Sequence, residues 1–115
     1  MRRTSLFKSI QDRIVQQRSR AWLAANTAMV MLFWDIGHSI LLREKAGKGI
    51  DVVDQVARHL GEYHPKSLIF SKRNVAYMRR FAAAYPDRRA AKRLFGHLPW
   101  RRAMESLDEW LRTGA

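Results

Sequence analysis

Apolar residues recur at steps of mostly three or four through residues 5–45. They are Phe7, Ile10, Ile14, Trp22 with Ala21, Ala25, Met29, Leu32, Ile36 and Ile40. This spacing is typical of an amphipathic α-helix, in which one turn takes about 3.6 residues. It predicts one long helix or two consecutive helices, ending near Gly47 and Gly49. A helix this long exposes its apolar face when isolated, so we expect it to pack on the rest of the chain or on another copy.

Shorter helices are predicted in the rest of the chain, and strand-type alternation is absent. The predicted helices cover residues 51–63, 72–85, 88–95 and 100–111. The side chains of Asp51, Ser71 and Asp87 can each accept a hydrogen bond from a free N–H group in the first turn of the helix that follows. The pattern therefore predicts a single all-α domain over residues 1–115, with five to six helices.

The predicted helices 51–63 and 72–85 form a consecutive pair joined by a loop. One interpretation is a helix-turn-helix-like unit in which the second helix contacts DNA. The loop is longer than the turn of the standard motif. A helical hairpin with no role in DNA binding is therefore the alternative.

The helix predicted after Ser71 has two distinct faces at 100° per residue. The face expected to point inward carries Val75, Met78, Phe81, Ala82 and Tyr85. The face expected to point outward carries Lys72, Arg73, Ala76, Tyr77, Arg79, Arg80, Ala83 and Ala84. The outward face mixes long cationic side chains with alanines, which allow a close approach to a nucleic-acid groove.

The net charge of the chain and its position along the sequence indicate the kind of partner. The formal net charge is +12. Residues 71–102 hold ten basic residues and one acidic residue, a net charge of +9. Such an excess favours a polyanionic partner, with DNA preferred over RNA, while a merely solvated cationic face or a membrane surface are the alternatives.

Compartment and membrane association are judged from the same composition. The chain has no cysteine, which mildly favours a reducing compartment. The apolar run 28–34 is too short to span a bilayer, and no signal-peptide pattern follows Arg2 and Arg3. We expect a cytoplasmic protein that is not bound to a membrane.

Four spaced motifs within residues 13–104 resemble one known family. They are Asn26 with LFWDIG at 32–37, the glycine-initiated helix 49–60, Phe70-Ser71 with Arg73-Asn74, Met78-Arg79 and Phe81, and Leu98-Pro99-Trp100. Together they resemble the YhcG-type N-terminal domain, which in its family typically precedes a PD-(D/E)XK nuclease domain. The resemblance implies a helical, DNA-binding domain. After Trp100 this chain departs from the family pattern, and no Asp…Glu-x-Lys arrangement follows. The resemblance therefore does not imply that this chain cleaves DNA.

Candidate chemistry is sparse, and we expect no enzyme activity, metal or cofactor. The four histidines lack the spacing of a helical ligand pair. Glu105, Asp108 and Glu109 share one side of the last helix, where a surface acidic face is favoured over a Mg²⁺ site. No glycine-rich phosphate loop is present.

Several residues beside the basic helix have structural interpretations. Trp34 is expected in the core, with Asp35 paired to a cation such as Arg79. Asn74 is expected to hydrogen-bond inward rather than to read a base. The other tryptophans, at 22, 100 and 110, are interpreted as core or interface anchors.

The leading hypothesis is a non-catalytic DNA-binding module. The residues expected to contact DNA are Lys72, Arg73, Tyr77, Arg80, Arg88, Arg89, Lys92 and Arg93. The alternative is a dimerisation or protein-interaction module, in which the long first helix pairs with another copy or with a nuclease-bearing partner.

Overall fold

The computed structural model describes residues 3–47 and 51–113. Within them lie five helices and no strand, which confirms the all-α prediction. The helices are α1 (Arg3–Lys45), α2 (Val52–Tyr63), α3 (Lys72–Ala84), α4 (Arg88–Phe95) and α5 (Trp100–Thr113).

The predicted caps are present at the starts of three helices. Asp51 accepts from the backbone N–H of Asp54 at 3.1 Å, and the Ser71 hydroxyl accepts from that of Asn74 at 3.2 Å. Asp87 caps α4 in the same way. Each side chain satisfies a donor that the first helical turn leaves free.

The end of α1 is also as predicted. Gly47 follows the helix with a φ of +70°, in the left-handed region that glycine adopts without strain. Gly49, the second glycine predicted to end the helix, lies outside the described residues.

The first helix is continuous over 43 residues. At 1.5 Å per residue it is about 64 Å long, close to the 70 Å longest dimension of the molecule. Only its second half is packed, because residues 5–25 are exposed throughout. The structure thus selects one long helix over two consecutive ones.

The buried face of α1 differs from the apolar pattern seen in the sequence. Val30, Phe33, Trp34 and Ile40 are at most 4% exposed, and all belong to the core. Of the pattern's members only Ile40 is buried, and most of the others are exposed. Helix α1 therefore carries two apolar faces, and the more regular one packs on this chain only at its end, around Ile36 and Ile40.

Helix α3 lies at the centre of the core. Val75 and Met78 pack with α1 and α2 in one cluster of buried side chains, while Phe81 and Ala82 pack with α1, α4 and α5 in the other. Tyr85, just after the helix, is half-buried beside them. The inward face predicted for this helix is confirmed.

Two tryptophans anchor the core, as predicted. Trp34 is 4% exposed, and its indole N–H donates to the carbonyl of Tyr85 at 2.8 Å. Trp100 packs its ring against Phe33 and Phe81. Trp22 stands in the exposed half of α1, and the side chain of Trp110 lies outside the described part of the structure.

By length and composition alone, α1 is also able to cross a membrane. Its most apolar 18-residue window has a mean hydropathy of 1.2, and 33% of that window is buried inside the protein. The core helix of a soluble protein meets the same criterion, so this finding is weak evidence on location.

Candidate nucleic-acid interface

Two arginines of α3 stand out from the core on the solvent side. Arg73 and Arg80 are both exposed and lie seven residues apart, about 10 Å along the helix axis. Both flank the ring of Tyr77, with guanidinium carbons 5.9 Å and 5.4 Å from its centre. Stacking on an aromatic face orients a guanidinium group and leaves its donors free. We call Arg73 and Arg80 the α3 pair.

Tyr77 does not face solvent, and its predicted outward position is wrong. The residue is 9% exposed, and its hydroxyl donates to Oδ2 of Asp108 on α5 at 2.6 Å. The periodicity argument assigned α3 one buried face, whereas α5 covers a second one. Tyr77 therefore supports the α3 pair from below instead of contacting a ligand.

Lys72 lies at the first turn of α3, beside the start of α2. Its ammonium group is 3.6 Å from a carboxylate oxygen of Asp51 and 3.6 Å from one of Asp54. The side chain remains 62% exposed. Much of its charge is therefore already offset by the acidic N-terminus of α2.

Arg88 is bound to α1 through a bidentate ion pair with Asp35. Its Nε and Nη2 donate to the two carboxylate oxygens of Asp35 at 2.9 Å and 3.2 Å. The hydrogen bond from Arg88 lowers the pKa of Asp35 and, reciprocally, raises the pKa of Arg88. Arg88 thus holds α4 against α1.

The predicted partner of Asp35 is wrong, because Arg79 pairs elsewhere. Nε of Arg79 donates to both carboxylate oxygens of Glu44, at 2.8 Å and 3.0 Å. Helical spacing placed Arg79 near the edge of α3 but could not show which turn of α1 lies opposite. Glu44, near the end of α1, is that partner.

The remaining basic residues of α4 form a second exposed group. Arg89, Lys92 and Arg93 point away from Ala91 and Phe95, the two buried residues of this short helix. At 100° per residue the three cations span about 100° of the helix surface. We call them the α4 cluster.

The α3 pair and the α4 cluster share one electrostatic property. Among the described residues, no carboxylate lies within ion-pair distance of any of the five. This distinguishes them from Lys72, Arg79 and Arg88. Sequence reasoning could not make this distinction, since the acidic partners come from distant parts of the chain.

The carboxylates of α5 have local partners. Besides the bond from Tyr77 to Asp108, Glu105 lies 3.6 Å from Arg101, one turn earlier. No group of three or more potential metal ligands occurs within the described residues. The geometry gives no support to a Mg²⁺ site here.

Asn74 lies at the edge of the α3–α5 groove. Its amide reaches the carbonyl of Leu68, in the loop before α3, at 3.5 Å, which is a long and weak contact. Trp100 and Met104 line the same groove, whose volume is about 630 Å³. The amide thus contacts an exposed part of the protein's own backbone and not the interior that the sequence suggested.

The fold and the exposed cations define an all-α domain with five exposed cations on two adjacent segments of the chain, none of them ion-paired within the described residues. The model of the DUF1016 N-terminal domain matches residues 9–112. The chain therefore belongs to the DUF1016 N-terminal domain family, the YhcG-type domain that its motifs resemble. No curated protein and no solved structure matches the chain.

Proposed function

We propose that this domain binds double-stranded DNA without cleaving it, through the α3 pair and the α4 cluster. The single observation that carries the proposal is the set of five exposed cations without a carboxylate partner, within a segment of net charge +9. Membership of the family supports it, because the motif resemblance implies a DNA-binding domain.

The contacts are proposed to be with phosphates. Arginine and lysine side chains neutralise phosphates and release counterions, which provides affinity but no sequence information. The α3 pair adds preorganisation, since Arg73 and Arg80 are held on the ring of Tyr77. Little side-chain entropy is then lost when the guanidinium groups meet the duplex.

Three residues first expected to contact DNA take a supporting role in this proposal. Tyr77 positions the α3 pair, Lys72 links α3 to α2, and Arg88 fixes the orientation of α4. We keep the helix-turn-helix-like interpretation of α2 and α3 as part of the proposal, with α3 nearest the duplex. The cytoplasm, a reducing compartment, suits a chain without cysteine.

The test is fluorescence anisotropy with a labelled DNA duplex, titrated at several salt concentrations. Two variants remove the proposed contacts: Arg73→Gln with Arg80→Gln, and Arg89→Gln with Lys92→Gln and Arg93→Gln. Each lost phosphate contact is expected to reduce the slope of log K against log salt by about 1. Affinity should fall about tenfold or more for each variant at low salt, as for loss of charge-assisted hydrogen bonds.

A matched control separates a local site from bulk charge. Arg58→Gln with Lys66→Gln removes the same charge as the first variant, from exposed positions in a segment with no net charge. This control should keep the salt slope of the unmodified protein. An equal loss for control and variant, or no binding by the unmodified protein at low salt, contradicts the proposal. Tighter binding to a matched RNA duplex would assign the surface to RNA instead.

A further inference from the structure

Before Ile36, the more regular apolar face of α1 is exposed along its whole length. At 100° per residue its main members fall within an arc of about 60°. They are Phe7, Ile10, Ile14, Ala21, Ala25, Ala28 and Leu32, and all of them are exposed. We call these seven residues the outer stripe. Val30 and Phe33 lie on the buried side of α1, and the outer stripe is rotated about 150° from that side around the helix axis.

The outer stripe is too large to be ordinary surface. Phe7 is 60% exposed, Ile10 46% and Leu32 47%. Trp22 and Met29 flank the stripe on one side and are 51% and 41% exposed. The exposed area of these side chains is on the order of 600 Å², near the roughly 800 Å² that each partner buries in a standard protein interface. An exposed apolar patch of this size marks an interaction surface.

The stripe is complementary to itself when two copies run antiparallel. Three bulky residues stand in its first half and three alanines follow in the second, at mirrored spacings, with Leu32 at the end. If Ile14 faces Ala21 of a second copy, then Ile10 faces Ala25 and Phe7 faces Ala28. Phe7, Ile10 and Ile14 thus each meet an alanine, so the two helices can lie close along about 32 Å, and Leu32 lies beyond this stretch. A parallel pair would set Phe7 against Phe7 and leave a gap between the alanines.

The rest of the fold leaves room for this arrangement. In the same register Leu6 lies at the level of Met29 of the second copy but on the other edge of the contact, so the alanine-lined stretch ends at Ala28. Helix α2 reaches α1 only from about Ile36 onward, where the two helices line an apolar groove of about 460 Å³. Helix α2 therefore does not cover the paired stretch of residues 7–28.

We propose that the domain forms a two-fold symmetric dimer in which the outer stripes of two α1 helices pair antiparallel. The two-fold axis passes between Gln17 and Arg18, the polar break in the stripe. Such an isologous contact closes on itself and gives a dimer rather than a filament. The proposal stands on α1 alone and does not depend on DNA binding.

The first test is sedimentation equilibrium of the whole chain without DNA. The unmodified protein of 13.5 kDa should sediment as a dimer of twice that mass at micromolar concentration. Ile10→Glu with Ile14→Glu should give a monomer with an intact cooperative unfolding transition. The matched control is Leu23→Glu, because Leu23 is 45% exposed on the same helix but on the opposite face, and this variant should remain a dimer.

The second test is of the register, and it uses the absence of native cysteine. An equimolar mixture of Ile10→Cys and Ala25→Cys chains should form a disulfide-linked dimer under a mild oxidant. Neither variant alone should cross-link, because each introduced cysteine lies about 22 Å from its own copy in the dimer. Cross-linking of each variant with itself would show a parallel pair and overturn the proposal.

Three other outcomes also overturn it. One is a monomer at high micromolar concentration in both low and high salt. Another is a dimer that survives the double glutamate substitution. The third is a monomer that sediments with anionic phospholipid vesicles through the same stripe, which would assign the stripe to a membrane surface.

Discussion

Gly37 of α1 lies directly against the backbone of Met78 in α3. A Cβ atom at position 37 would overlap the carbonyl group of Met78 and approach the backbone nitrogen of Arg79 to 3.0 Å. Both Gly37 and Met78 are buried. The two helices can therefore pack at this distance only because residue 37 has no side chain.

Gly37→Ala should destabilise the fold although alanine is the better helix former. Alanine in a helix gains about 1 kcal/mol over glycine, but the overlap with a rigid backbone costs about 3 kcal/mol or more. We expect a net loss of about 2 kcal/mol or more in the free energy of unfolding, measured by urea denaturation.

Gly61→Ala is the matched control for this substitution. Gly61 also lies within a helix, and a Cβ there would meet no atom within 4 Å. The control should be stabilised by about 0.5–1 kcal/mol. Equal effects at the two positions would refute the close-packing explanation.

Gly37 also shows how far the sequence could predict this fold. Helix boundaries and caps follow from local chemistry, so those of α3, from Ser71 to Tyr85, could be predicted closely. The role of Gly37, by contrast, cannot be predicted locally, because it depends on which helix crosses α1. Phe33 lies in the core for the same non-local reason.

Part of the candidate site could also be predicted from the sequence, and part could not. The exposure of the α4 cluster follows from periodicity alone, since Ala91 and Phe95 mark the buried side of α4. The burial of Tyr77 depends on α5, and the charge balance of Lys72 and Arg88 depends on α2 and α1. Contacts between distant segments cannot be predicted from spacing within one helix.

Asp35→Asn should make the free energy of unfolding less dependent on pH in the acidic range. The pKa of Asp35 is below its usual value of 3.8, because Arg88 donates hydrogen bonds to the carboxylate. A carboxyl group with a lowered folded-state pKa stabilises the fold above its unfolded pKa, and this contribution is lost as the pH falls through the folded value. The variant should therefore be less stable than the unmodified protein near neutral pH.

The difference between the two proteins should shrink once the pH falls below 3.8, the ordinary pKa of Asp35. Urea midpoints measured across this range give the test, with Asp12→Asn on the exposed half of α1 as control. About half of each side chain of the ion pair is exposed, so the effect at neutral pH is small. A constant difference at all pH values would show that the carboxylate charge of Asp35 is not responsible.

Tyr77→Phe should separate the supporting role of Tyr77 from direct contact with DNA. The substitution removes the hydroxyl that donates to Asp108 but keeps the ring on which Arg73 and Arg80 stack. We expect a loss of about 1 kcal/mol in stability and DNA affinity within about twofold of the unmodified protein. A tenfold loss of affinity in the anisotropy assay would mean that the hydroxyl itself contacts the ligand.

Asn26 joins α1 to the turn between α4 and α5. Its amide donates to the carbonyl of Gly96 at 3.0 Å and to that of Leu98 at 2.7 Å. Gly96 keeps a second donor, the Thr27 hydroxyl at 2.8 Å, whereas no other described hydrogen bond reaches the carbonyl of Leu98. Loss of the amide therefore leaves a part-buried acceptor without its donor.

Asn26→Ala should cost about 2 kcal/mol of unfolding free energy, as expected for a part-buried carbonyl left unpaired. Asn26→Asp should cost more at neutral pH, because it turns a carboxylate toward the same two carbonyl oxygens. Asn74→Ala is the control, since the amide of Asn74 makes only a 3.5 Å contact, and it should cost less than about 0.5 kcal/mol. Urea unfolding of the three variants checks the order, and an aspartate variant as stable as the unmodified protein would contradict it.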